Sequence, residues 1–446
     1  MTKQESMKSE SICRVRYGCA VGAMHSAVAI PGTIPIADCG PGCADKQYAG
    51  LVFYNGFQGS GYGGGASLPS VNSTEKEVVF GGNERLRELI QASLKVMKAD
   101  LFVVTTGCIS DIVGDDVESV VGEFQARGAP VVYAETGGFK GNNFIGHEAI
   151  AKAIVDQHVG DYAGPRDEGL VNVWTELPYQ NTFWRGDLQE IKRILEGIGL
   201  RVNILFGHGS GGVEEWKTIP RAGFNLVLHS WLGLSIAEHL REKYGQPYLH
   251  VPMIPIGSIE TGGFLRKVAA YAKTDPERAE AFIREEERDY YRYLEEFSEF
   301  YAEYFFGVPS KLAVVSDSAY AAAITNFASN QLGLIPVKII ATEDPPEEHR
   351  EGIRGLFRGI SPDIPEVQFI EDGFVIEEEI RNSPRRPAII FGTTWERDVA
   401  KEIRAGIVEV SFPASYEVVL SRGYVGYRGA LSLIEKIFTA TISASA

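Results

Sequence analysis

The stretch Leu101-Phe-Val-Val-Thr-Thr-Gly107-Cys108 is apolar, β-branched and unbroken until it reaches glycine and cysteine. A strand with one buried face alternates. A strand that is apolar at every position is covered on both faces, as in parallel sheets flanked by helices. The preceding residues, Asn83–Met97, carry a helical period. Together they read as a doubly wound α/β unit, with Cys108 just past the carboxyl end of a parallel strand, where such sheets build their sites.

The same grammar continues outward. Runs at Pro130–Ala134, Val171–Thr175, Val202–Phe206, Asn225–His229, Tyr248–Pro252, Leu312–Ser316, Val337–Ala341, Val367–Ile370, Ala388–Phe391 and Ile407–Phe412 read as strands. Helical patterns lie between them at Asp187–Ile198, Ile236–Tyr244, Tyr320–Leu332 and Ala430–Phe438. Eleven such strands are too many for one ordinary doubly wound sheet, and three smaller sheets fit better. Expected breaks fall near Gly160–Gly169 and Gly307–Ser310. They divide the chain into a first α/β domain at 1–165, a second at 166–307 and a third at 308–446. The expected C-terminal helix returns to the first domain or to a partner. Just before the second break lies a long helical tract, Pro276 to Phe305, with Asp275 as N-cap. Its Tyr and Phe residues read as a core-facing stripe.

Composition narrows the function. Of 446 residues, 44% are hydrophobic and 23% charged, which suits a globular chain with a sizeable core. The 43 basic and 59 acidic residues leave a formal charge of −16, against a phosphate-tracking groove as the main function. The first ten residues have no apolar core, and no run is long enough to span a membrane, so the expected location is cytoplasmic.

Two stretches match G-x-G-x-x-G. Gly59–Gly64 is not followed by a helix. Gly207–Gly212 follows a strand, but Pro220 shortens the next helix and the following strand ends at His229 without an acidic residue. A strand-to-helix turn is the better reading than a dinucleotide site. No nucleophile elbow, HExxH pair or P-loop occurs, and His25, His147, His158 and His208 read as surface or supporting residues.

All five cysteines, Cys13, Cys19, Cys39, Cys43 and Cys108, lie in the first quarter of the chain. Five small buried thiols are one reading. Thiolates also select zinc or iron–sulfur clusters. Cys13-x5-Cys19 with Cys39-x3-Cys43 could form a four-thiolate zinc site, although the first pair is wider than the usual spacing. The Cys39-Gly-Pro-Gly-Cys43 turn can bring backbone close to an inorganic cluster.

Three blocks resemble nitrogenase component 1, the molybdenum–iron protein superfamily. They are Cys19-Ala-Val-Gly-Ala23 with Gly40-Pro-Gly-Cys43, Asn72-Ser-Thr74-Glu75 leading to Val79-Phe80-Gly81-Gly82, and Thr105-Thr-Gly-Cys108 leading to Gly114-Asp115-Asp116. Gly423-Tyr-Val-Gly426-Tyr-Arg-Gly429 resembles the closing segment, so the likeness covers nearly the whole chain. It implies three doubly wound, Rossmann-like domains with parallel sheets flanked by helices. It also implies a P-cluster-type iron–sulfur cluster (8Fe–7S or related), held at a subunit interface by cysteines from two homologous subunits. The matching positions here are Cys19, Cys43 and Cys108; Cys13 and Cys39 fall outside the set and read as buried thiols, with a spare ligand as the alternative.

The family's α-type subunit holds the active-site cofactor with a cysteine after a second-domain strand and a histidine late in the third domain. Here the strand ends in His229-Ser-Trp231, and no histidine follows His349. The chain therefore resembles the β-type subunit. The implied role is electron relay within an α2β2 heterotetramer, from an ATP-dependent iron–sulfur reductase toward an α-type partner, without nucleic acid or membrane. Asn142 stands about where the conventional β-type subunit has a serine near the cluster. That departure points to a substrate other than dinitrogen, methylthio-alkanes being one candidate. A cofactor-assembly scaffold and a true nitrogenase β subunit are the alternatives. Asp115 and Asp116 read as a helix-capping pair.

Overall fold

The structure is a computed structural model that describes residues 16–59, 68–304 and 309–445. Cys13 and most of the Gly59–Gly64 stretch lie outside the described residues. All eleven expected runs form strands, and a twelfth, Thr33–Asp38, precedes them. In chain order the strands are β1 (Thr33–Asp38), β2 (Leu101–Thr106), β3 (Val131–Ala134), β4 (Asp167–Trp174), β5 (Arg201–Asn203), β6 (Ala222–Val227), β7 (Tyr248–His250), β8 (Lys311–Ser316), β9 (Ile335–Ala341), β10 (Gln368–Phe369), β11 (Ile389–Gly392) and β12 (Gly406–Glu409).

They form three sheets, ordered β1-β2-β3, β5-β4-β6-β7 and β10-β9-β8-β11-β12. Every pairing within them is parallel. Helices on both faces explain why β1, β2 and β6 are buried at every position. In the second and third sheets the chain order reverses beside β4 and β8, the switch points where α/β sheets open a crevice at their carboxyl ends.

β1 was not among the expected runs, and it carries a proline, Pro35. The strand sits at the edge of its sheet, where proline's missing N–H costs no ladder bond on the outer side. It delivers Asp38 and the Cys39–Cys43 turn beside the end of β2, Asp38 pairing with Thr106.

The long helix runs Pro276–Tyr304, and its stripe is only partly core. Tyr290 is buried and Phe297 meets Phe438 edge-on at 4.6 Å, while Tyr291 and Tyr293 are exposed. The C-terminal helix Gly426–Ser445 packs on this helix, on Trp184–Gly197 and Ser258–Ala272, and on β12.

Candidate functional site

Three turns of the first sheet carry the three matched cysteines. After β1, Gly40 caps the helix Pro41–Phe53, with proline at its first position and Cys43 in its first turn. After β2, extended Gly107 caps the helix Cys108–Val113, so Cys108 is its first residue. A Cβ on Gly107 would lie 2.5 Å from the Cys39 Cβ, so only glycine lets these two turns meet. Cys19 precedes the short turn Ala20–Ala23 and is pinned by an antiparallel bridge to Asn142. That bridge is made by Ala20 N donating to Gly141 O (2.9 Å) and Asn143 N donating to Gly18 O (3.1 Å).

Two of these thiols, Cys19 and Cys108, converge on Gly138. A Cβ there would lie 2.6 Å from the Cys108 Sγ, 3.3 Å from the Cys19 Cβ and 3.4 Å from the Cys19 Sγ. Cys43 lies within electrostatic reach of Cys19. All three are half-buried, whereas Cys39 is fully buried. The adjoining Cys39 thiol, with Lys46 and the Gly40 backbone, outweighs burial and holds the Cys43 thiol down at about 6, while the Cys39 sulfur lies 3.8 Å from Ser70 Oγ. The Cys43 contact, with burial, pushes Cys39 far above the ordinary thiol range. Burial also raises Cys19, with Cys108 and Cys43 adding to the effect. Cys39 is the buried thiol expected, set against Cys43. Among the described residues, which do not include Cys13, no three His, Cys, Asp or Glu side chains are placed to hold a single metal ion.

Asn142 has a settled role. Its Oδ1 accepts from Phe144 N (3.1 Å) and Ile145 N (3.4 Å), capping the helix Asn143–Ile154. Its Nδ2 donates to Glu343 O (2.6 Å) beyond β9. The expected acidic pair divides its work. Asp116 caps Val117–Gln125 through Ser119 N (3.0 Å). Asp115 instead accepts from Gly82 N (2.6 Å), tying the loop after Cys108–Val113 to the end of the helix Glu75–Phe80.

Large apolar side chains stand exposed around these thiols. Phe139 follows Gly138 and is 76% exposed; Ile112, one turn beyond Cys108, is 71% exposed; Phe80 is 82% exposed. The rim continues along the helix of Cys43 through Tyr48, Phe53, Tyr54 and Phe57. It joins Tyr416, Val418 and Leu420, whose segment bonds to it through Ala414 N to Tyr54 O (2.7 Å) and Val419 N to Gly56 O (2.9 Å).

Sequence reasoning missed a second polar centre. The crevice between the second and third sheets is filled by the chain's own side chains. The Glu343 carboxylate accepts from Ser318 N (3.0 Å), Ser318 Oγ and Trp231 Nε1 (3.3 Å). His229 Nδ1 accepts from Trp231 N (3.2 Å) and Leu232 N (3.0 Å), which leaves Nε2 facing Asp317 at 3.6 Å. Burial raises Glu343 above the ordinary carboxyl range. His25 and His147, expected at the surface or in support, are fully buried: His25 meets Gln180 Nε2 (2.7 Å) and the Gln47 carbonyl (3.0 Å), and His147 meets Ser26 Oγ (2.8 Å). Single histidines in apolar stretches carry no local mark of burial.

Comparison with known proteins agrees with this architecture. The family described as nitrogenase component 1 type oxidoreductase matches residues 19–442. A component of the light-independent protochlorophyllide reductase of Angiopteris evecta is 26% identical over 385 residues, covering 80% of this chain and 70% of that protein. The corresponding component from Nostoc punctiforme is 29% identical over 364 residues, covering 76% and 67%. A solved structure described as nitrogenase Cp1 at pH 6.5 superposes with a TM-score of 0.81 at 20% identity, covering 98% of this chain and 94% of that one.

Proposed function

The chain belongs to the nitrogenase component 1 type oxidoreductases, and from that premise we propose that it is the β-type, electron-relaying subunit of a nitrogenase-like reductase. Cys19, Cys43 and Cys108 would hold one half of an iron–sulfur cluster shared with an α-type partner. The observation that carries this is the convergence of Cys19 and Cys108 on the space left by Gly138, with Cys43 on the adjoining turn. The donor set fits the group: thiolates are the ligands of iron–sulfur clusters, and a cluster needs ligands around a volume rather than at one point. When bound, the cluster supplies one-electron storage.

This chain's residues set the conditions. Cys39 lies beside Cys43 and favours its thiolate, and Gly138 keeps the space open. The exposed rim of Phe139, Ile112, Tyr48 and Phe53 becomes dry once a homologous subunit covers it, and low dielectric tunes potential. Contiguous apolar surface of this kind marks a protein interface. The partners proposed are an α-type subunit in an α2β2 assembly and a separate ATP-dependent iron–sulfur reductase. The filled crevice around Glu343 and Trp231 leaves the active-site cofactor to the partner.

The substrate proposed is one other than dinitrogen. The similarity to components of protochlorophyllide reductases, and the commitment of Asn142 to helix capping, support that reading. The deciding experiment is iron and acid-labile sulfide per chain, measured anaerobically on the complex with its native partners. Iron and sulfide that fall on Cys108→Ala are expected. Zinc without sulfide would sink the proposal, and ammonia formed from dinitrogen at a substantial rate would overturn the substrate reading. An assembly scaffold would carry the cluster without catalytic turnover.

A further inference from the structure

Asp38 ends β1, between the turn that carries Cys43 and the turn that carries Cys108. Its backbone carbonyl is well used, accepting from Gly107 N (2.8 Å) and from Ser110 Oγ (3.0 Å). Its side chain is not. It is 0% exposed, and neither carboxylate oxygen has a hydrogen-bond partner of good geometry. The neighbouring Ser110 hydroxyl is directed at the Asp38 and Gly107 carbonyls (3.0 Å each), and its pull on the carboxylate is outweighed by burial. The charged and titratable groups that face Asp38 are Asp111 on the helix Cys108–Val113, Asp115 in the loop after that helix, and Cys39 on its own turn. Not one of these is a cation. An ionised carboxylate in such a place is opposed by burial and by like charge. A neutral acid used only structurally would spend its O–H on a well-placed acceptor, and the described residues offer none. A buried unpaired acid beside a redox centre is suited to carrying a proton.

We propose that Asp38 is the proton-accepting group of the electron-transfer step, a role that rests on the cluster reading given above. When one electron arrives from the iron–sulfur reductase, the Asp38 carboxylate takes one proton from solvent and becomes the neutral acid. When the electron leaves toward the α-type partner, the acid returns the proton. Charge at the buried site is thereby unchanged, because the electron's negative charge raises the proton affinity of a buried carboxylate on the adjoining turn. Burial and the Asp115 and Asp111 carboxylates push the Asp38 carboxyl up to about 7, so that both protonation states are accessible near neutrality.

The test uses the anaerobically purified complex with its native partners. Its reduction midpoint is followed by electron paramagnetic resonance from pH 6 to pH 9. One proton per electron shifts the equilibrium tenfold per pH unit, which is about 59 mV for one electron. A slope approaching that value is expected for the wild type and for Asp38→Glu, with a flat profile for Asp38→Asn. A flat wild-type profile with full iron would overturn the Asp38 role alone; a wild-type complex without iron and sulfide would overturn the cluster reading as well. Loss of iron in both Asp38 variants, as severe as in Cys43→Ala, would overturn it by making Asp38 a ligand. Infrared difference spectra guard against a variant that does not assemble. Reduction of wild-type complex carrying isotopically labelled aspartate should produce a carboxylic-acid band, and its absence would also overturn the role.

Discussion

Gly138 shows what a missing side chain contributes. Its Cβ position is closer to the Cys108 sulfur than a van der Waals contact allows. Gly138→Val should therefore lower iron and sulfide to the level of Cys108→Ala while leaving far-ultraviolet circular dichroism unchanged. Asn142 separates two ideas about one position. If its work is the helix cap, Asn142→Ala should cost about 0.5–2 kcal/mol in urea unfolding and Asn142→Ser most of a kilocalorie less, with iron retained in both. Parallel loss of iron would make it a ligand. The three matched cysteines were picked out by the resemblance of their motifs to the family, where order and approximate spacing are fairly specific. Cys39 and Asp38 were not, because their importance lies in which neighbours they have across β1 and β2.

At the scale of elements, central runs such as β2 and β6 became strands because burial on both faces leaves a composition that no surface element shares, while the edge strands β7 and β10 are only half-buried. The one strand overlooked, β1, contains Pro35, and it is tolerated because a sheet edge requires fewer ladder bonds. That omission concealed how the Cys43 turn reaches Cys108. The helix Cys108–Val113 and the segment around Phe139 present apolar side chains to solvent beside the thiols. Phe139→Asp places a charge at the centre of the proposed interface, where a buried unpaired charge is heavily penalised. It should abolish co-purification of the α-type partner while the isolated chain keeps its thermal transition. Unchanged co-purification would move the interface elsewhere.

At the scale of the molecule, buried polar contacts join the parts. Arg16 is buried, pairs with Glu396, donates to Thr393 Oγ1 (2.8 Å) and lies over the Trp395 ring at 5.2 Å. Asn142 and Glu343 O link the first sheet's turns to the third sheet. Breaking the buried pair leaves the Glu396 carboxylate without its countercharge, held only by Thr393 N (2.8 Å) and Oγ1 (2.7 Å), so Arg16→Ala should cost about 3–5 kcal/mol in urea unfolding. Buried histidines set a pH dependence. Burial holds His25 down at about 4 and His147 at about 3, against about 6.5 when unfolded. Below pH 6.5 the unfolded chain binds protons that the folded chain refuses, so this stability is present above pH 6.5 and lost as pH falls toward those values. Asp38 and Asp187 work oppositely, being raised to about 7 and about 6; their contribution is lost as pH rises through those values. The difference in unfolding free energy between wild type and His147→Gln isolates one group. It should shrink by about 1.4 kcal/mol per pH unit below 6.5, and a difference independent of pH would remove the assignment.

Fold class and parallel sheets were written in local pattern, in continuous apolar runs and glycine punctuation, whereas the three ligand candidates came from the resemblance of their motifs to the family. Local pattern suffices for the fold because strand burial and turn geometry are decided within about ten residues. The contact of Cys39 with Cys43, the space at Gly138, the unpaired carboxylate of Asp38 and the filling of the crevice by Glu343 and Trp231 came only with the tertiary structure. Each depends on residues far apart in the chain meeting at the carboxyl ends of parallel strands. Burial and neighbouring charge exist for a side chain only after such meetings have taken place.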